Sequence, residues 1–280
     1  MSRAAPINAG TWDRRRLLVV LASGILAVLL FVTGLGFAIY YALTSGRGGA
    51  STTSAAPGAT PRFVARGGAP AGQGVRDEIA ARPMLQVGPD DGRQGTPAAV
   101  AGPTIEIPPA LTSGPADVPT GYPQTSAGAV GQLAAIASTV LQGMSIPQAN
   151  EVYAQWAMPG GVGVANWALT KNVQSFLTGA RQQGQSKDPT TTVTATPAAA
   201  QIKGIDGQDW AVVCVLADVR AVITASVRVG YGYCERMQWS DGRWMIAPGA
   251  AAALAPSTWP GTDLSFRAGW RTWVAASGRG

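Results

Sequence analysis

The sequence predicts an α+β fold in which helices come first along the chain and an antiparallel sheet follows. Between residues 125 and 183 the apolar residues recur every three or four positions, which is the spacing of helices with one buried face. From 190 to 247 the period changes to two, which is typical of strands. Together these patterns predict three helices packed on one face of a curved, four-stranded antiparallel sheet.

Each of the three helices has a predicted beginning and end. The first is expected over 126–144, after a cap at Thr125 or the serine that follows it. Ser145 caps the second, expected over 146–158, and a Pro-Gly-Gly sequence stops it. The third is expected over 165–183, where its apolar residues form one stripe.

The four strands are expected at 190–205, 210–219, 223–239 and 243–247. Asp-Gly pairs between the first two strands and between the last two favour tight hairpin turns. Pro197 cannot donate a backbone hydrogen bond, so the first strand is expected to be an edge strand with a break.

A long apolar run precedes this domain. Residues 17–43 carry no charge over a length that exceeds the ~20 residues needed to cross a bilayer, so they predict a transmembrane helix and a lipid partner. Residues 1–16 contain four arginines and are expected to be a cytoplasmic tail. The remainder of the chain would then lie outside the plasma membrane, in a single-pass arrangement.

Residues 44–123 are rich in Gly, Pro and Ala, and they predict a disordered stalk. Two islands differ from that composition. Residues 76–85 have the composition of one or two helical turns, and 104–108 form a short strand-like run. They are interpreted either as local clusters within a tether or as segments that dock on the exterior domain (124–248) or on a partner.

The composition excludes much of enzyme chemistry. The chain contains no histidine, which removes the commonest general base and the commonest metal ligand. Residues 125–248 carry eight basic and seven acidic side chains, a net charge of only +1, so no nucleic-acid binding is expected. The sequence predicts no catalytic residue, no metal and no cofactor.

Cys214 and Cys234 lie on consecutive predicted strands, and a hairpin centred on Thr224 would set them opposite each other. They are interpreted as a structural disulfide, with two buried free thiols as the alternative. Asp218 and Glu235 also lie on adjacent strands. Cross-strand ion pairs with arginines on the solvent face explain them better than acid–base catalysis does.

The C-terminal tail, 249–280, carries a predicted short helix. This helix would place Phe266, Trp270 and Trp273 on one stripe, with arginines beside them. The stripe would fold back onto the exterior domain, dock in a partner's groove, or rest on the membrane surface. The residues singled out for partner or membrane contact are Trp259, Phe266, Arg267, Trp270, Arg271 and Trp273.

The order of elements and the terminal hairpin CERMQWSDGRWMIAP resemble the nuclear-transport-factor-2-like, or cystatin-like, fold. The short tail, single span, stalk and outer domain resemble the bitopic VirB-type proteins of type IV secretion. The stretches PQTSAGAVGQLAAI, EVYAQWAMPGG and STWPGTDLSFRAGWRTWV are similar to membrane proteins of conjugative elements in high-GC Gram-positive bacteria. The resemblance implies an architecture and a role, but no site residues.

Two functions remain open at this point. The first is a non-enzymatic membrane-anchored scaffold of a cell-envelope complex, with conjugative or type IV-like transfer as its expected setting. Its partners would be other membrane or envelope proteins, or a second copy of the chain. The alternative is an exterior domain that binds or senses a small ligand in the cone of the fold. That cone would be either open or filled by Trp167, Phe176 and Trp210.

Overall fold

A computed structural model describes residues 72–276, all of which lie in one compact unit spanning 65–280. The predicted cytoplasmic tail, 1–16, and the predicted membrane span, 17–43, lie outside the described residues. Within 72–276, each helix is too short or too polar to cross a bilayer.

Five α-helices occur in the described part of the chain. They are α1 (Gly72–Ala81), α2 (Ser126–Gly143), α3 (Ile146–Trp156), α4 (Ala168–Gly179) and α5 (Asp263–Arg267). The three predicted helices correspond to α2, α3 and α4. Their predicted caps are present: the hydroxyl of Thr125 accepts a hydrogen bond from the amide of Gly128 at 3.0 Å, and that of Ser145 accepts one from Gln148 at 3.4 Å.

The strands are β1 (Thr104–Ile107), β2 (Thr112–Ser113), β3 (Pro119–Thr120), β4 (Thr192–Ile205), β5 (Trp210–Val222), β6 (Ser226–Ser240), β7 (Arg243–Ile246) and β8 (Arg271–Ala275). Six of them form a curled half-barrel sheet in the order β1-β8-β4-β5-β6-β7. The α+β class, with helices packed on a curled sheet, is therefore confirmed. The sheet has six strands rather than four, and it is mixed, because β1 and β8 run parallel.

The predicted edge position of the first long strand is wrong. β4 pairs with β5 along its length, and at Ala199 and Ala200 it also pairs with β8. The break predicted at Pro197 is present as a register shift between Pro197 and Ala199. The strand tolerates the proline because this bulge interrupts the ladder there.

Alternate residues of the long hairpin β5–β6 lie on opposite faces of the sheet. Val213 and Val215 face the concave side, where they join the main core with Ile136 of α2. Cys214 and Leu216 face the convex side and belong to a second apolar cluster. Both faces of the sheet are therefore buried at this part of the hairpin.

The cysteines are register partners, and a disulfide bond joins them with a Cα–Cα distance of 4.0 Å. The hairpin is centred where the sequence places it, since Val222 pairs with Ser226 across the turn. The bond lies on the convex face, beneath Met84 and Trp270. It ties β5 to β6.

Two segments that the sequence analysis assigns to the stalk and the tail cover this convex face. We call 72–107 the first cover segment and 249–276 the second. In the first, Ile79 and Ala80 of α1 are buried against Trp210. The two segments also bond to each other, as the Ala253 amide donates to the Ala80 carbonyl at 2.9 Å.

The boundaries predicted for the stalk and the tail therefore need correction. Residues 72–123 belong to the folded domain, and both islands, 76–85 and 104–108, dock on it as α1 and β1. The Gly- and Pro-rich composition of this stretch hides its few buried anchors, such as Ile79 and Ile107. Similarly, 249–276 contributes β8 to the sheet.

We expect Trp270→Ala to lower the free energy of unfolding by about 3–5 kcal/mol, because its indole is fully buried over the disulfide. The exposed neighbour Arg271 offers a matched control. Its change to alanine should cost about 0.5 kcal/mol or less. Urea unfolding of the purified protein measures both. Equal midpoints for the two variants would contradict the packing of the second cover segment on the sheet.

Candidate binding cavities

Two cavities that share lining residues lie where helices α3 and α4 approach the sheet. The first, of about 290 Å³, lies at the free edge of β6, between α3, α4 and the beginning of the second cover segment. Three tyrosines and a tryptophan line part of its wall, and glycines and alanines line much of the rest, so we call it the aromatic cavity; it is defined by Tyr153, Trp167, Tyr231, Tyr233 and Glu235. The second, of about 410 Å³, lies between the helices and the tip of the β5–β6 hairpin.

The sequence Gly230-Tyr231-Gly232-Tyr233 builds one wall of the aromatic cavity. Its tyrosines face the concave side and its glycines the convex side. A Cβ on Gly230 would lie 2.0 Å from the Thr258 carbonyl oxygen, so only glycine lets the second cover segment pass so closely. This alternation therefore directs two tyrosine side chains into the cavity. On the opposite face of the strand, the glycines leave room for the second cover segment.

The opposite wall comes from α3 and from the residue that precedes α4. Tyr153 lies on α3, and its ring centroid is 5.2 Å from that of Trp167. Trp167 is buried and occupies the N-cap position of α4, so the start of that helix fixes the indole. The Tyr153 hydroxyl accepts a hydrogen bond from the Gly163 amide at 3.0 Å, which orients the ring.

A buried hydrogen-bond network forms the floor of the aromatic cavity. The Trp167 indole donates to the Tyr233 hydroxyl at 2.8 Å and to Oε2 of Glu235 at 3.2 Å. The Tyr233 hydroxyl also donates to that oxygen. Oε1 of Glu235 accepts from the Arg236 amide at 3.1 Å. Both carboxyl oxygens therefore have partners, and the network resembles a satisfied structural floor more than a poised acid–base pair.

Burial is the main influence on the ionisable groups of this floor. Removal from water raises the pKa of Glu235, and hydrogen bonds from Tyr233, the Arg236 amide and Trp167 oppose that rise only in part. Burial likewise raises the pKa of Tyr233, and the neighbouring carboxylate raises it further. Tyr233 is thus a neutral hydrogen-bond donor at physiological pH.

A hydrogen bond separates the two cavities. The side-chain amide of Asn172, on α4, donates to the hydroxyl of Tyr231, on β6. Both residues line both cavities, so this pair is a partition that one helix and one strand hold in place. Burial raises the pKa of Tyr231, so its hydroxyl also stays protonated.

The second cavity is lined almost entirely by aliphatic and aromatic side chains, and we call it the apolar cavity. Its lining includes Leu141, Met144, Phe176, Val193, Val219, Ala221, Ile223, Val227 and Val229. At its mouth, Ile223 is 40% and Val227 is 63% exposed. These two side chains lie at the tip of the long hairpin and leave an apolar rim in contact with solvent.

The three residues that could fill the cone, Trp167, Phe176 and Trp210, lie in three different parts of the domain. Trp167, which is buried in the main core, lines the aromatic cavity, and Phe176 lines the apolar cavity. Trp210 is buried on the convex side with α1. One cavity therefore remains beside Trp167 and another beside Phe176.

The carboxylates singled out in the sequence also differ from each other. Asp218 pairs with Arg228 across the strands on an exposed part of the sheet, as the sequence predicts, with Nε 2.8 Å from Oδ1. The prediction is wrong for Glu235, which is buried on the concave side. Of the arginines expected to pair with these carboxylates, which are Arg220, Arg228 and Arg236, the last faces the convex side and pairs there with Asp77 at 2.6 Å.

The aromatic residues of the C-terminal segment do not form the predicted stripe. α5 ends at Arg267, and Trp273 lies in β8, where it packs against the main core. The Trp270 indole is buried and donates to the Pro256 carbonyl at 3.0 Å, so it is not available to a partner or to lipid. The helix prediction fails here because Gly269, at a φ of +91°, ends the helix and starts the strand.

The other residues of that set lie at the surface of the domain or near it. The Phe266 ring fills the space beside Gly102, and Trp259 lies under the guanidinium of Arg228 at 5.0 Å. Arg267 and Arg271 are exposed, and their contact with a partner or with membrane stays a prediction.

Sequence reasoning missed Tyr153, Asn172, Tyr231 and Tyr233 as site residues. The Gly-Tyr-Gly-Tyr alternation was the available signal, because glycine at every second strand position marks a face that another backbone approaches. The opposite face must then carry the tyrosines. No such local signal marks Asn172 or Tyr153, whose positions depend on how the helices cross the sheet.

We expect the stability of the wild type to fall as the pH rises from about 4.5, relative to Glu235→Gln. The folded state disfavours the ionised carboxylate, so this contribution is complete below the unfolded pKa and is lost as the pH rises through the raised folded pKa. The difference should reach about 1.4 kcal/mol for each unit by which folding raises the pKa. Glutamine keeps a carbonyl that can accept from Trp167.

Urea unfolding of both proteins between pH 3.5 and 9 provides the measurement. Glu151→Gln, which changes an exposed carboxylate on α3, is the matched control and should parallel the wild type. Parallel curves for the wild type and Glu235→Gln would contradict the prediction, because they would show that Glu235 has the same pKa in the folded and unfolded states.

Comparison with known proteins adds no assignment. No family model, no curated protein and no solved structure matches this chain. The residues and their geometry therefore carry the functional argument.

Proposed function

We propose that this chain is a non-enzymatic, membrane-anchored scaffold or assembly component of a cell-envelope complex, in a conjugative or type IV-like transfer apparatus. The uncharged run 17–43 would anchor it, with the N-terminus cytoplasmic and the α+β domain outside. The disulfide between Cys214 and Cys234 supports an exterior location, because such bonds persist in oxidising compartments.

The observation that carries the proposal is the open apolar rim at the tip of the β5–β6 hairpin. Ile223 and Val227 project there beside Phe176, over a cavity that has room for further apolar groups. An exposed apolar surface with a depression at its centre is typical of a site where a partner inserts an anchoring side chain. The partner would be another envelope protein of the complex or a second copy of this chain.

The fold is consistent with this role. Helices followed by antiparallel hairpins on a curled sheet follow the order expected for the nuclear-transport-factor-2-like fold. In the bitopic VirB-type proteins that the sequence resembles, such a domain stands outside a single span. At the mouth of the apolar cavity, Ile223 and Val227 together leave an exposed apolar surface directly beside a cavity.

A second candidate function, binding or sensing of a small ligand, is favoured by the cavities themselves. Together they offer an apolar compartment next to an aromatic one with a polar floor. Pockets of this size that are apolar with a few fixed polar groups are the usual form of small-molecule sites. The two candidates share the same concave face.

For the assembly role, we expect Val227→Glu to reduce transfer frequency by about tenfold or more, because a charge at the rim must be desolvated when the partner docks. Leu111→Glu is the matched control, since Leu111 is 79% exposed but lies outside both cavities. Mating assays measure the frequency in a strain whose own copy has been deleted and replaced by each variant.

Immunoblotting of the membrane fraction checks that both variants accumulate equally. A deletion strain that transfers as well as the parent would contradict the transfer setting. Equal frequencies for Val227→Glu and the wild type would contradict the rim as the contact surface.

A further inference from the structure

We propose that the two cavities form one site for a small amphiphilic organic cation, with an alkyl chain in the apolar cavity and a substituted ammonium group in the aromatic cavity. This inference rests on the second candidate function and names its ligand class. It depends on the aromatic walls, on the charge of the lining and on the way the two cavities join.

The aromatic cavity has the composition of a cation site. The faces of aromatic rings carry partial negative charge, and they attract ammonium groups within about 6 Å. Trp167 and Tyr153 supply one side at a centroid separation of 5.2 Å, and Tyr231 and Tyr233 supply the other, stacked at 6.4 Å. Rings on two sides of a cavity are the arrangement that favours a methylated ammonium, whose surface is large and weakly hydrated.

The charge of the lining points to the same class. Among the described residues that line either cavity, Glu235 is the only acidic one, and none is a lysine or an arginine. The nearest arginine along the strand, Arg236, directs its guanidinium to the convex face and pairs there with Asp77. Among the described lining residues, a cation in the aromatic cavity would therefore meet the Glu235 carboxyl and no basic side chain, although the charge of Arg236 also acts on that carboxyl. An anion would find no basic partner in the same lining.

The junction of the cavities sets the shape of the ligand. Asn172 and Tyr231 line both, so a molecule that reaches from the polar floor to the apolar rim must displace the hydrogen bond between these two side chains. The apolar cavity presents Leu141, Val193 and Val219, which suit an aliphatic chain. The site thus selects a charged head and an apolar tail, in that orientation.

The test uses three probes with the same tail: hexyltrimethylammonium, 1-hexanol and hexanoate. Equilibrium dialysis against the full chain in phosphatidylcholine nanodiscs measures binding, with empty nanodiscs as the blank. We expect the cation to bind about tenfold more tightly than hexanol, and hexanoate to bind more weakly than either.

Two variants locate the effect. Glu235→Gln should bring the affinity for the cation down to that for hexanol, a loss of about tenfold, and leave hexanol binding unchanged. Tyr153→Leu removes a half-buried ring from the wall of the aromatic cavity. It should weaken binding of the cation and leave binding of hexanol unchanged as well. Glu151→Gln, outside the cavities, should bind all three probes as the wild type does.

The outcomes separate the ligand-binding function from the choice of an amphiphilic cation as the ligand. Binding of none of the probes would overturn the ligand-binding function, and this inference with it. Binding of hexanol or hexanoate as tight as that of the cation would overturn the inference alone. Unchanged cation binding in both Glu235→Gln and Tyr153→Leu would also overturn it, because the charge selectivity would then arise elsewhere.

Discussion

The register of the β5–β6 hairpin is the constraint on which the rest of this domain depends. Because alternate residues face opposite sides, a shift of one position would exchange the residues of the two faces. Tyr231, Tyr233 and Glu235 would then leave the cavity, and the glycines between them would leave the surface that the second cover segment crosses. The disulfide between Cys214 and Cys234 joins two register partners and so holds the pairing that both faces require.

Burial of both sheet faces explains why the cover segments are ordered despite their Gly-, Ala- and Pro-rich composition. Helices α2–α4 cover only the concave side, so the apolar convex residues need a second layer. Ile79 and Trp270 are its large buried anchors. Small residues between the anchors let the chain lie close to the strands, as at Gly230 and Gly232, where a side chain would collide with it.

The features that the sequence predicts well are local. Caps at Thr125 and Ser145 and the pairing of Cys214 with Cys234 all follow from neighbouring residues or from a single hairpin. Features that depend on distant contacts were missed: β1 and β8 pair in parallel although more than 160 positions separate them, and no local pattern indicates that. Glu235 illustrates the same limit in the site, because its alternation with Arg236 left open which of the two faces the core.

The two functional proposals are compatible, because one helix and one hairpin serve both. Asn172 of α4 contacts Tyr231 at the partition, and one helical turn further along, Phe176 lies at the apolar rim beside the hairpin tip. The charged head of a ligand in the aromatic cavity would contact Asn172 and Tyr231. Its alkyl tail would occupy the apolar cavity, where a partner would otherwise insert an apolar side chain. Binding of the ligand and docking of the partner would therefore compete for the apolar cavity. The factor by which the docked partner lowers the affinity for the ligand equals the factor by which the bound ligand lowers the affinity for the partner. This reciprocity follows from shared space alone and requires no movement of the fold.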